Sequence, residues 1–164
     1  MDEHIHYELN SLSKILRIFP DTISRFRNDE KVTFEAVRNS FVEAIGIHIR
    51  ILDHFFFGKP RHDNDLVAAD YFDNPSEWQN ASRQLRENKE IIRINKRVSK
   101  EIVHLSIDRT DVKPEEKDWG KDWNIACKYF NKTLKLFLEI VPESSLGIRL
   151  LREKSSLSSI QDNN

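Results

Sequence analysis

An arginine and a histidine seven positions apart are the residues of this sequence best suited to chemistry. Arg97 and His104 are separated by two helical turns, so an α-helix would place both on one face. A histidine exchanges protons near neutral pH, and an arginine holds a phosphate and stabilises the charge that develops on it. Together they are the minimum set for cutting RNA without a metal ion, by attack of a ribose 2′-oxygen on the adjacent phosphorus.

Other polar side chains are spaced so that they can assist this pair. Asp108 follows His104 by one helical turn and can hold its imidazole in one orientation, and Arg93 precedes Arg97 by one turn. Ser99, through its hydroxyl, or Asn95, through its amide, can donate a hydrogen bond to a phosphate. The sequence therefore predicts Arg97, His104 and Asp108 as catalytic residues, with Arg93 and Ser99 as substrate-binding residues.

This segment resembles the catalytic motif of the HEPN superfamily, in which a histidine follows an arginine after four to six intervening residues. Arg97 and His104 stand at those positions with six residues between them. The resemblance implies a small α-helical bundle that acts as a metal-independent endoribonuclease, in a toxin–antitoxin or phage-defence system. It also implies a homodimer in which two motifs meet across a composite cleft. It covers at most residues 33–141.

Two residues of the predicted central helix extend this comparison. The superfamily often carries a further polar residue on that helix, and Glu43 or Asn39 can take its place. Arg50 lies on the polar face of the same predicted helix, where it can reach a substrate phosphate. Glu43 and Arg50 are therefore predicted as substrate-binding residues. The sequence departs from the family pattern at Val98, because the family usually has Asn, Asp or His directly after the arginine.

Other interpretations of the same residues stay open. The charges around Arg97 also fit a solvated helix face whose side chains pair at i,i+4 spacing. The chain would then be a non-catalytic helical interaction module, such as an antitoxin or adaptor. A third interpretation is a HEPN-like protein that has lost catalysis and binds RNA or a nucleotide passively, and the departure at Val98 favours it.

The scarcity of turn-forming residues predicts a helical fold. Only 4 Gly and 5 Pro occur among 164 residues, too few for the frequent tight turns of a β-sandwich or barrel. Pro20 is expected to break or restart the first helix, because its ring removes a hydrogen bond from a helix interior. Apolar residues recur at helical spacing over four stretches, namely about 8–26, 33–57, 75–108 and 113–141.

We expect these stretches to form an all-α, up-and-down helical bundle of four to five helices. The stretch 33–57 is the most apolar and is expected to be the central helix. Residues 1–152 are predicted to form a single helical domain. Residues 153–164 are rich in serine and are predicted to be a disordered, flexible C-terminal tail.

The aromatic residues are predicted to pack in the interior. Trp119, Trp123 and Phe130 share one helix face, which favours a buried stripe over a platform for stacking bases. The run from Phe55 to Phe57 cannot face inward from one helix at all three positions, so another element or a second subunit must cover at least one ring. This run therefore favours a homodimer.

Charge balance and cysteine content exclude several other classes of protein. The chain has 26 Lys and Arg against 27 Asp and Glu, so Arg93 and Arg97 beside His104 are the local cations it offers to RNA. The single cysteine excludes an internal disulfide and a multi-cysteine zinc site, and we expect no metal and no cofactor. No apolar run is long enough to span a bilayer and no signal segment is recognisable. We therefore expect a cytoplasmic protein whose partner is RNA or a cognate protein.

Overall fold

The regular secondary structure of the protein is helical wherever it is described. The computed structural model describes residues 2–27, 31–103 and 119–161, and no β-strand occurs in these ranges. They form seven α-helices: α1 (Asp2–Phe26), α2 (Lys31–Phe57), α3 (Pro75–Ala81), α4 (Arg83–Arg86), α5 (Lys89–Val98), α6 (Gly120–Ile140) and α7 (Ile148–Gln161). Single helical turns of other types lie at Ala68–Tyr71, Ser99–Val103 and Glu143–Ser145.

The predicted all-α class is confirmed, but the described residues form more helices than the four to five expected. The stretch 75–108 accounts for the difference, because α3, α4 and α5 divide its described part. Asn74 caps α3 as its type predicts, since its side chain accepts a hydrogen bond from the Ser76 amide. Ser82 and Glu87 then interrupt the helix with ψ angles of 2° and 7°. These breaks let each short helix bury its own apolar residues.

Pro20 does not divide the first helix. Helix α1 runs from Asp2 to Phe26 with Pro20 inside it, so the predicted break is wrong. Pro20 is exposed, and an exposed proline can be accommodated by a local kink because water satisfies the carbonyl that loses its partner.

The chain divides into two compact units, each built from separate stretches. The first, here called the aromatic unit, comprises Met1–Glu8, Ile51–Asn88 and Lys128–Asn164. The second, here called the motif unit, comprises Leu9–Arg50 and Lys89–Cys127. The single domain over 1–152 stays a prediction.

A cluster of aromatic rings forms the core of the aromatic unit. Phe55 and Phe56 are buried, and the Trp78 indole nitrogen donates a 2.6 Å hydrogen bond to the Phe56 carbonyl. Phe57 is half-buried, with its ring stacked on Trp78 and a second contact to Tyr129. Elements of the same chain thus cover all three phenylalanines. The run consequently gives no support for a second subunit.

The C-terminal segment is helical where the sequence predicts a flexible tail from residue 153. Helix α7 continues to Gln161 and is anchored by Leu150, which is fully buried. The Lys154 ammonium donates a 2.7 Å hydrogen bond to the Val141 carbonyl, and Glu153 lies 2.7 Å from the His6 imidazole. These contacts oppose the fraying that the serine-rich composition suggested.

A glycine allows two segments of the motif unit to approach closely. Gly46 lies within α2, and a Cβ atom added there would lie 2.7 Å from Ile102 Cδ1 and 3.3 Å from Val98 Cγ1. A glycine in a helix interior costs about 1 kcal/mol relative to alanine, so its position here is explained by the contact it permits. Gly46 therefore helps to position the segment that carries the arginine–histidine motif.

Replacement of this glycine by a large residue is expected to destabilise the protein. Gly46→Leu should lower the free energy of unfolding by about 2 kcal/mol. The leucine side chain would overpack the contact with Val98 and Ile102, and this cost is larger than the stability gained from its higher helix propensity. Urea unfolding followed by circular dichroism measures the change. Ser40→Leu, an equal insertion at an exposed position of α2, should change stability by less than about 0.5 kcal/mol. Equal effects of the two substitutions would contradict the role assigned to Gly46.

Candidate functional site

The arginine of the motif is held by two carboxylates. Arg97 lies in the last turn of α5, where its Nε donates a 2.9 Å hydrogen bond to Glu101. Its Nη1 donates a 2.8 Å hydrogen bond to Asp122, near the start of α6. Only 15% of the Arg97 side chain is exposed. The guanidinium is therefore fixed in orientation within the motif unit.

The second arginine of the predicted site binds the same aspartate. Both terminal nitrogens of Arg93 donate to Asp122, at 3.2 and 2.5 Å, which is a bidentate arrangement. Asp122 is only 6% exposed, whereas half of the Arg93 side chain is exposed. One buried carboxylate thus joins two arginines that lie one helical turn apart.

A tryptophan ring lies against the Arg97 guanidinium. The guanidinium carbon lies 3.8 Å from the centre of the Trp119 ring, a cation–π contact. Trp119 stacks in turn on Trp123, with ring centres 4.4 Å apart and planes within 9° of parallel. Both tryptophans are buried, which confirms the predicted interior position and leaves no exposed platform for bases.

The charges of this cluster balance. Arg93 and Arg97 contribute two positive charges, and Glu101 and Asp122 contribute two negative ones. Burial raises the pKa of Asp122, but the hydrogen bonds and charges of the two arginines outweigh it and bring the pKa below the ordinary aspartate value. The carboxylate is consequently ionised at neutral pH, and its two arginine neighbours are internally compensated cations.

A π-helical turn follows directly after Arg97's helix. It spans Ser99–Val103, and π-helical hydrogen bonds join residues five apart instead of four. The prediction that Arg97 and His104 share a face assumed α-helical spacing throughout, which does not hold across this turn. Such turns are rare and are found frequently at functional sites. His104 and Asp108 lie outside the described residues.

The remaining predicted residues within the described ranges lie on two segments of the motif unit. Ser99 is half-buried at the first position of the π-turn, and Glu43 is exposed on α2. Arg50 is half-buried, and its Nη1 is buried without a hydrogen-bond partner among the described residues. Within the described ranges no hydrogen bond or ion pair joins Glu43 or Arg50 to the Arg97 cluster. Hydrogen bonds to Asp122 thus join Arg93 and Arg97.

Sequence reasoning missed Asp122, the residue that links the two arginines. A signal for it exists, because α-helical spacing places Asp122 about 60° from Trp119, at the edge of the predicted aromatic stripe. A carboxylate at the edge of an apolar face needs a cation when it is buried. Arg93 and Arg97 supply that cation, but their pairing with Asp122 on another helix depends on the tertiary structure and could not be predicted from the sequence.

The described part of the chain shows neither a metal site nor a membrane span. Its His, Cys, Asp and Glu side chains form no group of three or more that could hold a metal ion. Its helices include none that combines the length and the apolar character needed to cross a bilayer. Comparison of the chain with family models, curated proteins and solved structures gave no match.

Removal of the charge on Asp122 is expected to destabilise the motif unit. Asp122→Asn should lower the free energy of unfolding by about 3 kcal/mol at pH 7, because it removes the buried charge that both Arg93 and Arg97 bind. Denaturant unfolding followed by tryptophan fluorescence measures this loss. Glu139→Gln, which removes an exposed charge from the same helix, should change stability by less than about 0.5 kcal/mol.

The same substitution should alter how stability depends on pH. Because the pKa of Asp122 is lower in the folded state, its contribution is complete above the ordinary aspartate pKa and is lost as pH falls through the folded pKa. The difference between the native protein and Asp122→Asn should therefore narrow below about pH 4. A difference that stays constant down to pH 2 would show that the charge of Asp122 does not stabilise the fold.

Proposed function

We propose that the protein is a HEPN-like, metal-independent endoribonuclease. Arg97 would bind the scissile phosphate and His104 would act as the general acid or base. The observation that carries this proposal is the fixed Arg97 guanidinium, held by Glu101, Asp122 and Trp119 directly before the segment that contains His104. A cation held in place before substrate binds loses little entropy when a phosphate arrives.

The proposed reaction is an internal displacement at phosphorus. A base takes the proton of the ribose 2′-hydroxyl, the O2′–P bond forms, and the P–O5′ bond breaks as the leaving oxygen receives a proton. The products are a 2′,3′-cyclic phosphate and a 5′-hydroxyl, so neither water nor an oxidant is consumed. Arg97 would stabilise the negative charge that grows on the phosphate oxygens. An arginine carries five N–H donors, enough to serve carboxylates and a phosphate together.

The other predicted residues take supporting roles in this proposal. Asp108 would orient the His104 imidazole, Arg93 and Ser99 would contact the substrate, and Glu43 and Arg50 are further substrate-binding candidates. The π-turn at Ser99–Val103 supports a functional assignment of this segment. A homodimer would place two motifs together, one supplying the base and the other the acid. We place such an enzyme in the cytoplasm, in a toxin–antitoxin or phage-defence system with a cognate protein partner.

A second candidate function is a non-catalytic helical interaction module, such as an antitoxin or adaptor. The observation that favours it is the charge balance of the Arg97 cluster, in which two carboxylates already compensate two arginines. Such a network also occurs where ion pairs serve only to hold helices together. The two functions differ in their sensitivity to loss of the motif histidine.

Loss of the histidine should abolish catalysis without loss of fold. His104→Ala is expected to lower the rate of RNA cleavage at least about 100-fold, because general acid–base catalysis contributes that much or more. The measurement is cleavage of total RNA by the purified full chain, with and without a chelator, with the 2′,3′-cyclic phosphate product analysed by mass spectrometry. Cleavage by the native protein should persist in the chelator.

The exposed histidine His62 provides a matched control. His62→Ala should cleave at the native rate, and melting temperatures by circular dichroism should show that both variants are folded. Arg97→Lys is a less direct test, because Arg97 also holds Glu101 and Asp122. Absence of cleavage by the native protein, or cleavage unaffected by His104→Ala, would overturn the proposed enzyme and leave the interaction module.

A further inference from the structure

One face of helix α6 in the aromatic unit carries three lysines in succession before the next exposed carboxylate, Glu139. Between Lys128 and Lys135 the exposed residues are Lys128, Asn131, Lys132 and Lys135, here called the lysine face. No carboxylate lies among them, and none of the three lysines forms an ion pair within the described part of the chain. The lysines span about 10 Å along the helix axis.

This arrangement is unfavourable for the helix itself. Lys128 and Lys132 are four residues apart and Lys132 and Lys135 are three apart, which are the spacings at which helical side chains are neighbours. Like charges at these spacings repel and destabilise a helix, whereas alternating signs would stabilise it. In a chain with net charge −1, such a concentration of one sign is a local feature and not a consequence of composition.

The environment of the helix excludes insertion into a membrane surface. An interfacial helix must lay its apolar face into the lipid. The residues that face away from the lysines are instead buried in the core of the aromatic unit, among them Phe130, Phe137 and Leu138. Between Lys128 and Lys135 the helix exposes no apolar residue, and Ile140 at its end is the large apolar side chain that it exposes within the aromatic unit.

We propose that the lysine face binds the phosphate backbone of single-stranded RNA. Lysine ammonium groups bind phosphates as point charges and do so without reading the base sequence. A nucleic acid strand presents regularly spaced negative charges along its length, and each phosphate that is neutralised releases condensed counterions. Three lysines within 10 Å suit such a polyanion better than a single anionic side chain.

This inference rests on the proposed endoribonuclease and assigns the surface that attracts its RNA substrate. The attraction comes from the lysine face and not from the arginine pair. Arg93 and Arg97 are compensated by carboxylates, so their contribution to long-range attraction of a polyanion is small. The lysine face supplies exposed charge that screening by salt would weaken.

The test measures RNA binding without cleavage. A fluorescein-labelled 20-nucleotide RNA, 2′-O-methylated throughout so that no 2′-hydroxyl can attack, is titrated with the full chain at several KCl concentrations and followed by anisotropy. Each neutralised phosphate of a single strand contributes about 0.7 to the slope of the logarithm of the binding constant against the logarithm of the salt concentration. The combined variant Lys128→Gln, Lys132→Gln and Lys135→Gln removes three such contacts and should therefore reduce the magnitude of this slope by about 2. Binding at 0.1 M salt should weaken on the order of 100-fold.

A second triple variant controls for net charge. Lys14→Gln, Lys59→Gln and Lys89→Gln removes the same charge from exposed positions elsewhere and should leave the salt slope unchanged. The lysine-face variant should melt no lower than the native protein, because it removes repulsion between neighbours. Lysine acetylation of the native protein gives an independent readout, since bound RNA should protect Lys128, Lys132 and Lys135.

Several outcomes would overturn the proposal. These are no binding of the RNA by the native protein at 50 mM KCl, equal salt slopes for the native protein and the lysine-face variant, or no protection of the three lysines from acetylation. Binding through these lysines to phosphatidylserine vesicles or to an acidic peptide, but not to RNA, would assign the face to another partner. Because the probe cannot be cleaved, each result is independent of whether His104→Ala abolishes catalysis.

Discussion

A carboxylate removed from water must be matched by positive charge, and Asp122 imposes this constraint on the motif unit. Its burial would be costly if it stood alone, but Arg93 and Arg97 both donate to it and keep it ionised. The pairing links α5 to the first turn of α6 and places the Arg97 guanidinium over Trp119. The orientation of the arginine that matters most for the proposed chemistry thus follows from the needs of a buried aspartate.

Positive charge can serve an RNA-cutting protein in two ways, by stabilising the transition state and by attracting the RNA. Pairing with Asp122 suits the two arginines to the first of these and not to the second. A compensated, immobile guanidinium suits local stabilisation of charge in a transition state, because its position is fixed before the reaction. It is poorly suited to attracting a polyanion from a distance, which needs exposed and uncompensated charge. In this chain the lysine face of α6 supplies exposed charge that forms no ion pair among the described residues, although the total charge is close to zero.

In the aromatic unit, residues distant in sequence cover the run of three phenylalanines from Phe55 to Phe57. Three consecutive phenylalanines cannot all point inward from one helix, and the covering rings come from Trp78 and Tyr129 of the same chain. The Trp78 indole also donates to the Phe56 carbonyl, which satisfies a polar group in an otherwise apolar core. The proposed homodimer therefore rests on the resemblance and not on an uncovered ring.

The sequence by itself determined the helical class, the cap at Asn74, the interior position of Trp119 and Trp123, and the shared face of Arg93 and Arg97. Each of these follows from residue type or helical spacing, which are local properties. Only the tertiary structure decided the partners: Asp122 as the counterion of both arginines, Val98 and Ile102 against Gly46, and the cover over Phe57. The π-turn at Ser99–Val103 and the intact helix through Pro20 also could not be predicted from residue spacing. These features depend on which distant side chains compensate a buried charge or fill a space, and no local pattern encodes that pairing.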